Sequence, residues 1–112
     1  TIHVAGDVGA INTGMVYGSV QGKVGRLRES RQTELADAIG RLAEAIEKST
    51  IGEDVKREQM EGIEFLATQA ELPPERRNRG VIKAVETTLS TATNIVTIWQ
   101  QIGPIVMKAL GM

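Results

Sequence analysis

The chain contains no cysteine and a single histidine, His3, among its 112 residues. Without cysteine there is no disulfide framework, no thiolate zinc site and no thiol nucleophile. One histidine and no cysteine also remove the members of the usual nucleophile–base dyads and triads. We therefore predict that the protein is not an enzyme and that it binds no cofactor and no metal.

Aromatic residues and excess charge are also scarce. Aromatic side chains make up 3% of the chain, which is too few for a platform that stacks nucleic-acid bases. The 13 basic and 14 acidic residues give a formal net charge of -1, so no nucleic-acid partner is expected. The first residues lack the basic and apolar regions of a signal peptide, which favours a cytoplasmic location.

The start of the chain is rich in glycine that alternates with valine. Every second residue from Gly14 to Val24 is one or the other, and residues 4–10 follow the same rule with alanine admitted. Side chains alternate between the two faces of a β-strand, so one face would be open to close approach by another backbone. The pattern predicts two short strands, about residues 2–11 and 15–24, folded as a hairpin or as stacked rungs.

Two isolated strands are marginally stable in water, and copies from several chains would supply the missing strand partners. We therefore predict that residues 1–25 form a β assembly segment that pairs between chains, with an intramolecular hairpin as the alternative. The predicted oligomerisation residues are Val8, Ile11, Asn12, Gly14, Val16, Gly18, Val20, Gly22 and Val24.

Helical periodicity replaces the alternation after Gly25. Apolar residues spaced three and four apart predict helices at about residues 27–48, 53–71 and 80–102, and a short helical turn at 105–110. A capping box at residues 50–53 begins the second helix, Pro73 ends it, and Pro104 interrupts the third. The predicted fold class is α+β, mainly α: an N-terminal β-hairpin or β-rungs followed by an antiparallel three-helix bundle over residues 26–112.

The third predicted helix raises the question of membranes, because residues 87–107 contain no charged side chain over a length that can cross a bilayer. Frequent threonine and glutamine favour a central bundle helix with Trp99 as a core anchor. The alternatives are that this helix inserts into a membrane on clustering, or that it binds a partner.

Three arginines, Arg76, Arg77 and Arg79, precede this helix although cations oppose the dipole at a helix N-terminus. We expect them to form local ion pairs in a solvated loop. Contact with lipid headgroups or phosphate is the alternative, and Trp99 would then lie at the membrane interface.

The motif Ile11-Asn12-Thr13-Gly14, followed by Val16, Gly18 and Val20, resembles the glycine-rich amyloid-signalling motifs of bacterial immune and cell-death proteins. These are likened to the animal RIP homotypic interaction motif. The helical remainder resembles uncharacterised bacterial helical tails. The resemblance implies cross-β assembly between a receptor and an effector that carry similar motifs.

Together these features predict a homo-oligomeric assembly or signalling module of a bacterial defence-type system. Its partner would be itself, or a receptor or effector with a similar motif. One alternative is a membrane-active, pore-forming effector whose third helix inserts on clustering, so that the assembled form is membrane-associated. The other is a structural helical protein with an intramolecular hairpin.

Overall fold

The computed structural model describes the backbone of residues 4–111 and the side chains of residues 14–111. All regular structure in that range is helical. The elements are α1 (Val4–Glu29), α2 (Thr33–Glu47), α3 (Glu53–Glu71), a 3₁₀ turn (Pro74–Arg76), α4 (Arg79–Ser90) and α5 (Val96–Ala109). Over the described residues the protein is all-α, so the predicted α+β class with an N-terminal β-hairpin or β-rungs is wrong.

The predicted strands at 2–11 and 15–24 fall within α1, apart from residues 2 and 3, which lie outside the described range. A glycine–valine alternation is also a four-residue repeat, and in a helix that repeat places the valines together on one side. Val20, Val24 and Leu27 are buried on this side. Burying three aliphatic side chains contributes roughly 5–9 kcal/mol. Packing within the chain therefore overrides the local preference for strand.

The predicted helix at 27–48 is divided between two elements. Its first residues belong to the last turn of α1, and α2 begins only at Thr33. Arg31, with a φ of 69°, occupies the left-handed region in the turn between them. An ion pair of 2.7 Å between Arg28 Nη2 and Asp37 Oδ1 joins α1 to α2 across this turn. The short turn makes α1 and α2 antiparallel neighbours.

α3 has the bounds predicted for the second helix, Glu53–Glu71. Its start differs in detail from the prediction. The N-cap residue is Gly52 and no side chain caps the first turn, so the capping box predicted at residues 50–53 is not formed.

The predicted helix at 80–102 is two helices, because the chain leaves helical geometry between α4 and α5. Thr91 Oγ1 donates to the carbonyl oxygens of Thr87 and Thr88, at 3.2 and 3.1 Å. Such local side-chain bonds compete with the helix. Asn94 then exchanges two amide hydrogen bonds with Gln59 of α3, at 3.0 and 2.9 Å. These bonds fix the connection against the bundle.

Pro104 lies inside α5 instead of interrupting a helix. A proline ring normally clashes with the backbone and Cβ of the residue before it, but Gly103 has no Cβ. The proline itself is exposed, so its ring displaces nothing in the core. The separate turn predicted at 105–110 is therefore the continuation of α5.

The five helices share one hydrophobic core. Helix α1 lies against α2 and α3, α2 also lies against α5, and α4 contacts α3 and α5. An ion pair of 3.2 Å between Arg26 Nη2 and Glu71 Oε1 joins the last turns of α1 and α3. Those two helices therefore run in the same direction, with α2 antiparallel to both. The boundary predicted between residues 25 and 26 falls inside α1.

Candidate assembly surface on helix α1

Helix α1 presents a stripe of glycines to solvent. Gly14, Gly18 and Gly22 follow one another at intervals of four residues, and Gly25 adds a fourth member to the stripe. Residues three and four apart lie on the same side of a helix. All four residues are exposed, and we call them the glycine face. At 3.6 residues per turn, this face lies about half a turn away from the buried valines.

Nothing within the described chain packs onto the glycine face. A Cβ built on Gly14, Gly18 or Gly25 would have no heavy atom within 4 Å, and one on Gly22 would meet only Nη1 of Arg26, at 3.9 Å. Alanine would therefore fit at all four positions. Each exposed helical glycine lowers helix stability by about 1 kcal/mol relative to alanine, so the face as a whole lowers it by roughly 4 kcal/mol.

Met15 lies on α1 beside the glycine face and is 68% exposed. The other large apolar side chains exposed in the described range, Val55 and Val81, are 49% and 41% exposed. An unbranched thioether adapts its shape to the surface that it meets. The side of α1 turned away from the core thus combines flat backbone with a flexible apolar side chain.

The nine predicted oligomerisation residues are divided between two sides of α1. The glycine face holds Gly14, Gly18 and Gly22. The valines contact their own chain, with Val16 partly buried and Val20 and Val24 in the core. The remaining three residues lie in the backbone of α1, but their side chains are outside the described range: Val8, Ile11 and Asn12.

Sequence reasoning found these glycines but gave them the wrong geometry. Their spacing of four residues is the signal that identifies a helical stripe. Alternation was treated only as the two-residue period of a strand. Met15 was missed altogether, because in a strand it lies on the face opposite the glycines.

Arg77 has a structural role. Its guanidinium donates to the carbonyl oxygens of Gln69 and Ala70 at 2.9 and 3.2 Å, and to that of Ala109 at 3.4 Å. Carbonyl groups in the last turn of a helix lack partners within the helix. Arg77 supplies donors to them at the end of α3 and also ties α3 to the end of α5.

The other predicted membrane or anion contacts are not gathered with Arg77 into one site. Arg76 and Arg79 are exposed, but Trp99 is 5% exposed and packs in the core. Its ring lies over Gly103, where a Cβ would be 2.8 Å from Cε2. Trp99 precedes Ala109, the residue that Arg77 contacts, by about 15 Å along α5. These positions separate the tryptophan from the arginine linker.

Two kinds of site are not found within the described range. No helix there combines the length and apolar character required to cross a membrane, since the uncharged stretch 87–107 is divided between α4 and α5. Nor do three histidine, cysteine, aspartate or glutamate side chains come together in a group that could hold a metal ion.

Among the residues whose side chains the structure describes, the pair with clearly perturbed titration is Glu44 and Lys48, on the exposed side of α2. A hydrogen bond of 2.7 Å from Lys48 Nζ to Glu44 Oε1, with the attraction between the charges, lowers the pKa of Glu44 and raises the pKa of Lys48. Both shifts favour the charged forms. A solvated ion pair one turn apart on a helix accounts for them without any catalytic role.

Comparison with known proteins gives no match: no protein-family model, no curated protein and no solved structure is significantly similar to the chain. The geometry of α1 and its surroundings is therefore the basis for a functional proposal.

Proposed function

We propose that the protein is a non-enzymatic assembly module that forms homo-oligomers by packing the glycine face of α1 against the same face of a second copy. The observation that supports this is the open space over four exposed helical glycines. The helix loses roughly 4 kcal/mol of intrinsic stability at these positions. No contact of the described residues explains the loss.

Close approach of a second backbone does explain it. Helices whose contact surface consists of small residues four apart can bring their backbones together, because no side chain holds them apart. The same face on both copies makes a self-complementary contact about a two-fold axis. Met15, at the edge of the face, would then be covered by the partner. The second copy would thus shield from solvent the most exposed large apolar side chain in the described range.

The expected strength of this association is modest. Stable interfaces between proteins bury about 1,200–2,000 Å² in total, and a pair of crossing helices alone lies at or below the lower limit. The module would therefore associate in a concentration-dependent way and respond to clustering. The bacterial defence-type signalling role, with a receptor or effector that carries a similar segment as the second partner, stays a prediction from the sequence, and helix packing replaces the cross-β contact that the resemblance implied.

The proposal is tested by the molar mass of the chain in solution, measured by sedimentation equilibrium from micromolar to millimolar concentration. We expect the wild-type mass to rise with concentration and Gly18→Leu to remain monomeric, because a leucine there holds the two backbones apart. Thr87→Leu is the matched control, since it places the same side chain on an exposed position of α4.

Far-UV circular dichroism of each variant establishes that it is folded before its mass is compared. A wild-type chain that stays monomeric at millimolar concentration would overturn the proposal. So would a folded Gly18→Leu variant that associates as strongly as the wild type.

A further inference from the structure

A groove of about 840 Å³ lies between the start of α2 and the end of α5. It shares no residue with the glycine face. Its apolar walls come from Leu35 on one side and from Pro104, Ile105 and Ala109 on the other. Leu35 is 3% exposed and Ile105 is partly buried, so the groove reaches down to the core. Its volume lies within the range of about 300–1,000 Å³ that is usual for small-molecule sites.

Two cationic side chains line this groove, Arg31 and Lys108. Neither forms an ion pair with another described residue, whereas the arginines of the preceding turn are paired, Arg26 with Glu71 and Arg28 with Asp37. One acidic side chain, Glu34, also lines the groove. The net charge of the side chains that line the groove is therefore positive.

We infer that this groove binds a small amphipathic carboxylate, with its apolar chain along the walls and its carboxylate between Arg31 and Lys108. Charge complementarity selects the anion, because an arginine guanidinium and a lysine ammonium both form strong charge-assisted hydrogen bonds to carboxylates. The apolar walls of the groove select the hydrocarbon chain of the ligand. This inference is independent of the assembly proposed above.

The size of the groove favours a small molecule over a peptide helix. The part of α5 that lines it runs from Pro104 to Ala109, about 7.5 Å at 1.5 Å per residue. A docked helix anchors through residues that span seven positions, about 10.5 Å, and extends beyond them at both ends. The groove is shorter than that.

The test uses octanoate as the probe and octylammonium as its matched control, because the two carry the same alkyl chain with opposite charge. Calorimetry measures affinity, and amide chemical shifts in a ¹⁵N spectrum locate the site. We expect one octanoate per chain, with shifts at residues 31–35 and 104–109, and binding roughly tenfold weaker or worse for octylammonium.

Charge variants of the groove sharpen the test. Lys108→Gln should weaken octanoate binding several-fold, and Glu34→Gln should strengthen it by removing a repelling carboxylate. Arg31→Gly should also weaken it while remaining folded, since glycine favours the left-handed backbone at this position. Lys83→Gln, on α4 and outside the groove, should leave the affinity unchanged.

The measurements are repeated on Gly18→Leu, so that failure of the assembly proposal does not affect the outcome. The inference is overturned if octanoate produces no shifts at millimolar concentration. It is also overturned if octylammonium binds equally well, or if the shifts fall on α1 and leave the groove unchanged.

Discussion

Replacing Gly18 by alanine should stabilise the isolated chain. Gly18 lies in the middle of the exposed side of α1, and the added Cβ would have no heavy atom within 4 Å. The substitution therefore gains the difference in helix propensity, about 1 kcal/mol, without a steric penalty. With an unfolding entropy of about 2.1 cal/mol/K per residue over the chain, this gain raises Tm by about 4 °C.

The same substitution at Gly103 should have the opposite sign and serves as the matched control. A Cβ there would lie 2.8 Å from Cε2 of Trp99, and the indole is nearly buried and cannot move away. Overpacking of a core costs about 1–3 kcal/mol, which exceeds the propensity gain of about 1 kcal/mol. We expect Gly103→Ala to lower the free energy of unfolding by about 1 kcal/mol.

Thermal unfolding followed by far-UV circular dichroism at micromolar concentration measures both variants under conditions that disfavour assembly. A lower Tm for Gly18→Ala, with Gly103→Ala behaving as expected, would show that Gly18 is not on an open helical face. A higher Tm for both variants would show instead that Trp99 does not pack on Gly103.

Two further predictions concern the packing of the bundle, and urea denaturation measures both. Leu42→Ala and Ile63→Ala should each lower the free energy of unfolding by about 2–5 kcal/mol, because both side chains are fully buried. Glu44→Ala, at an exposed position, is the control. Equal effects at all three sites would contradict the core described above. Arg77→Met should lower the free energy of unfolding by about 1–3 kcal/mol, because the carbonyl oxygens of three residues lose a hydrogen bond from the guanidinium, although those of Gln69 and Ala70 keep a second donor. Arg76→Met should have little effect, and a reversed order would show that the Arg77 contacts do not form.

The sequence was sufficient to predict the parts of the bundle where one period governs the apolar residues. The stripe of Leu35, Ile39, Leu42 and Ile46 is buried as its spacing predicts. The second helix was predicted with its observed bounds, because a single helical period runs without interruption to Pro73. In both cases local preference and tertiary packing point to the same structure.

The α1 segment could not be assigned in this way, because its pattern satisfies two periods at once. Glycine at 14, 18 and 22 with valine at 16, 20 and 24 fits both strand alternation and a four-residue helical stripe. Burial against α3 decides between them, and that contact joins residues far apart in sequence, as the pairing of Arg26 with Glu71 illustrates. Three glycines of the candidate site, Gly14, Gly18 and Gly22, were therefore identified from sequence, whereas Met15, Gly25 and the helical arrangement of the site were not.

The break between α4 and α5 escaped prediction for a different reason. Proline is the stronger local signal, and it placed the interruption at residue 104. The chain tolerates Pro104 because the preceding residue, Gly103, has no Cβ. That residue also packs beneath Trp99, a contact that composition alone does not reveal. The actual break depends on the bonds of Asn94 to Gln59 and Ser49, which come from other elements of the fold.

The two sides of α1 constrain each other. Burial of Val20, Val24 and Leu27 fixes the rotation of the helix, so the glycine face has one orientation relative to the rest of the bundle. If a glycine were required only for folding, replacing it would lower both the stability of the chain and its association. On the glycine face we expect opposite signs, since a larger side chain raises the stability of the single chain while it separates two copies. Such opposition between stability and activity is typical of a functional surface. Measuring both thermal stability and molar mass for variants of Gly18 is therefore more informative than either measurement alone.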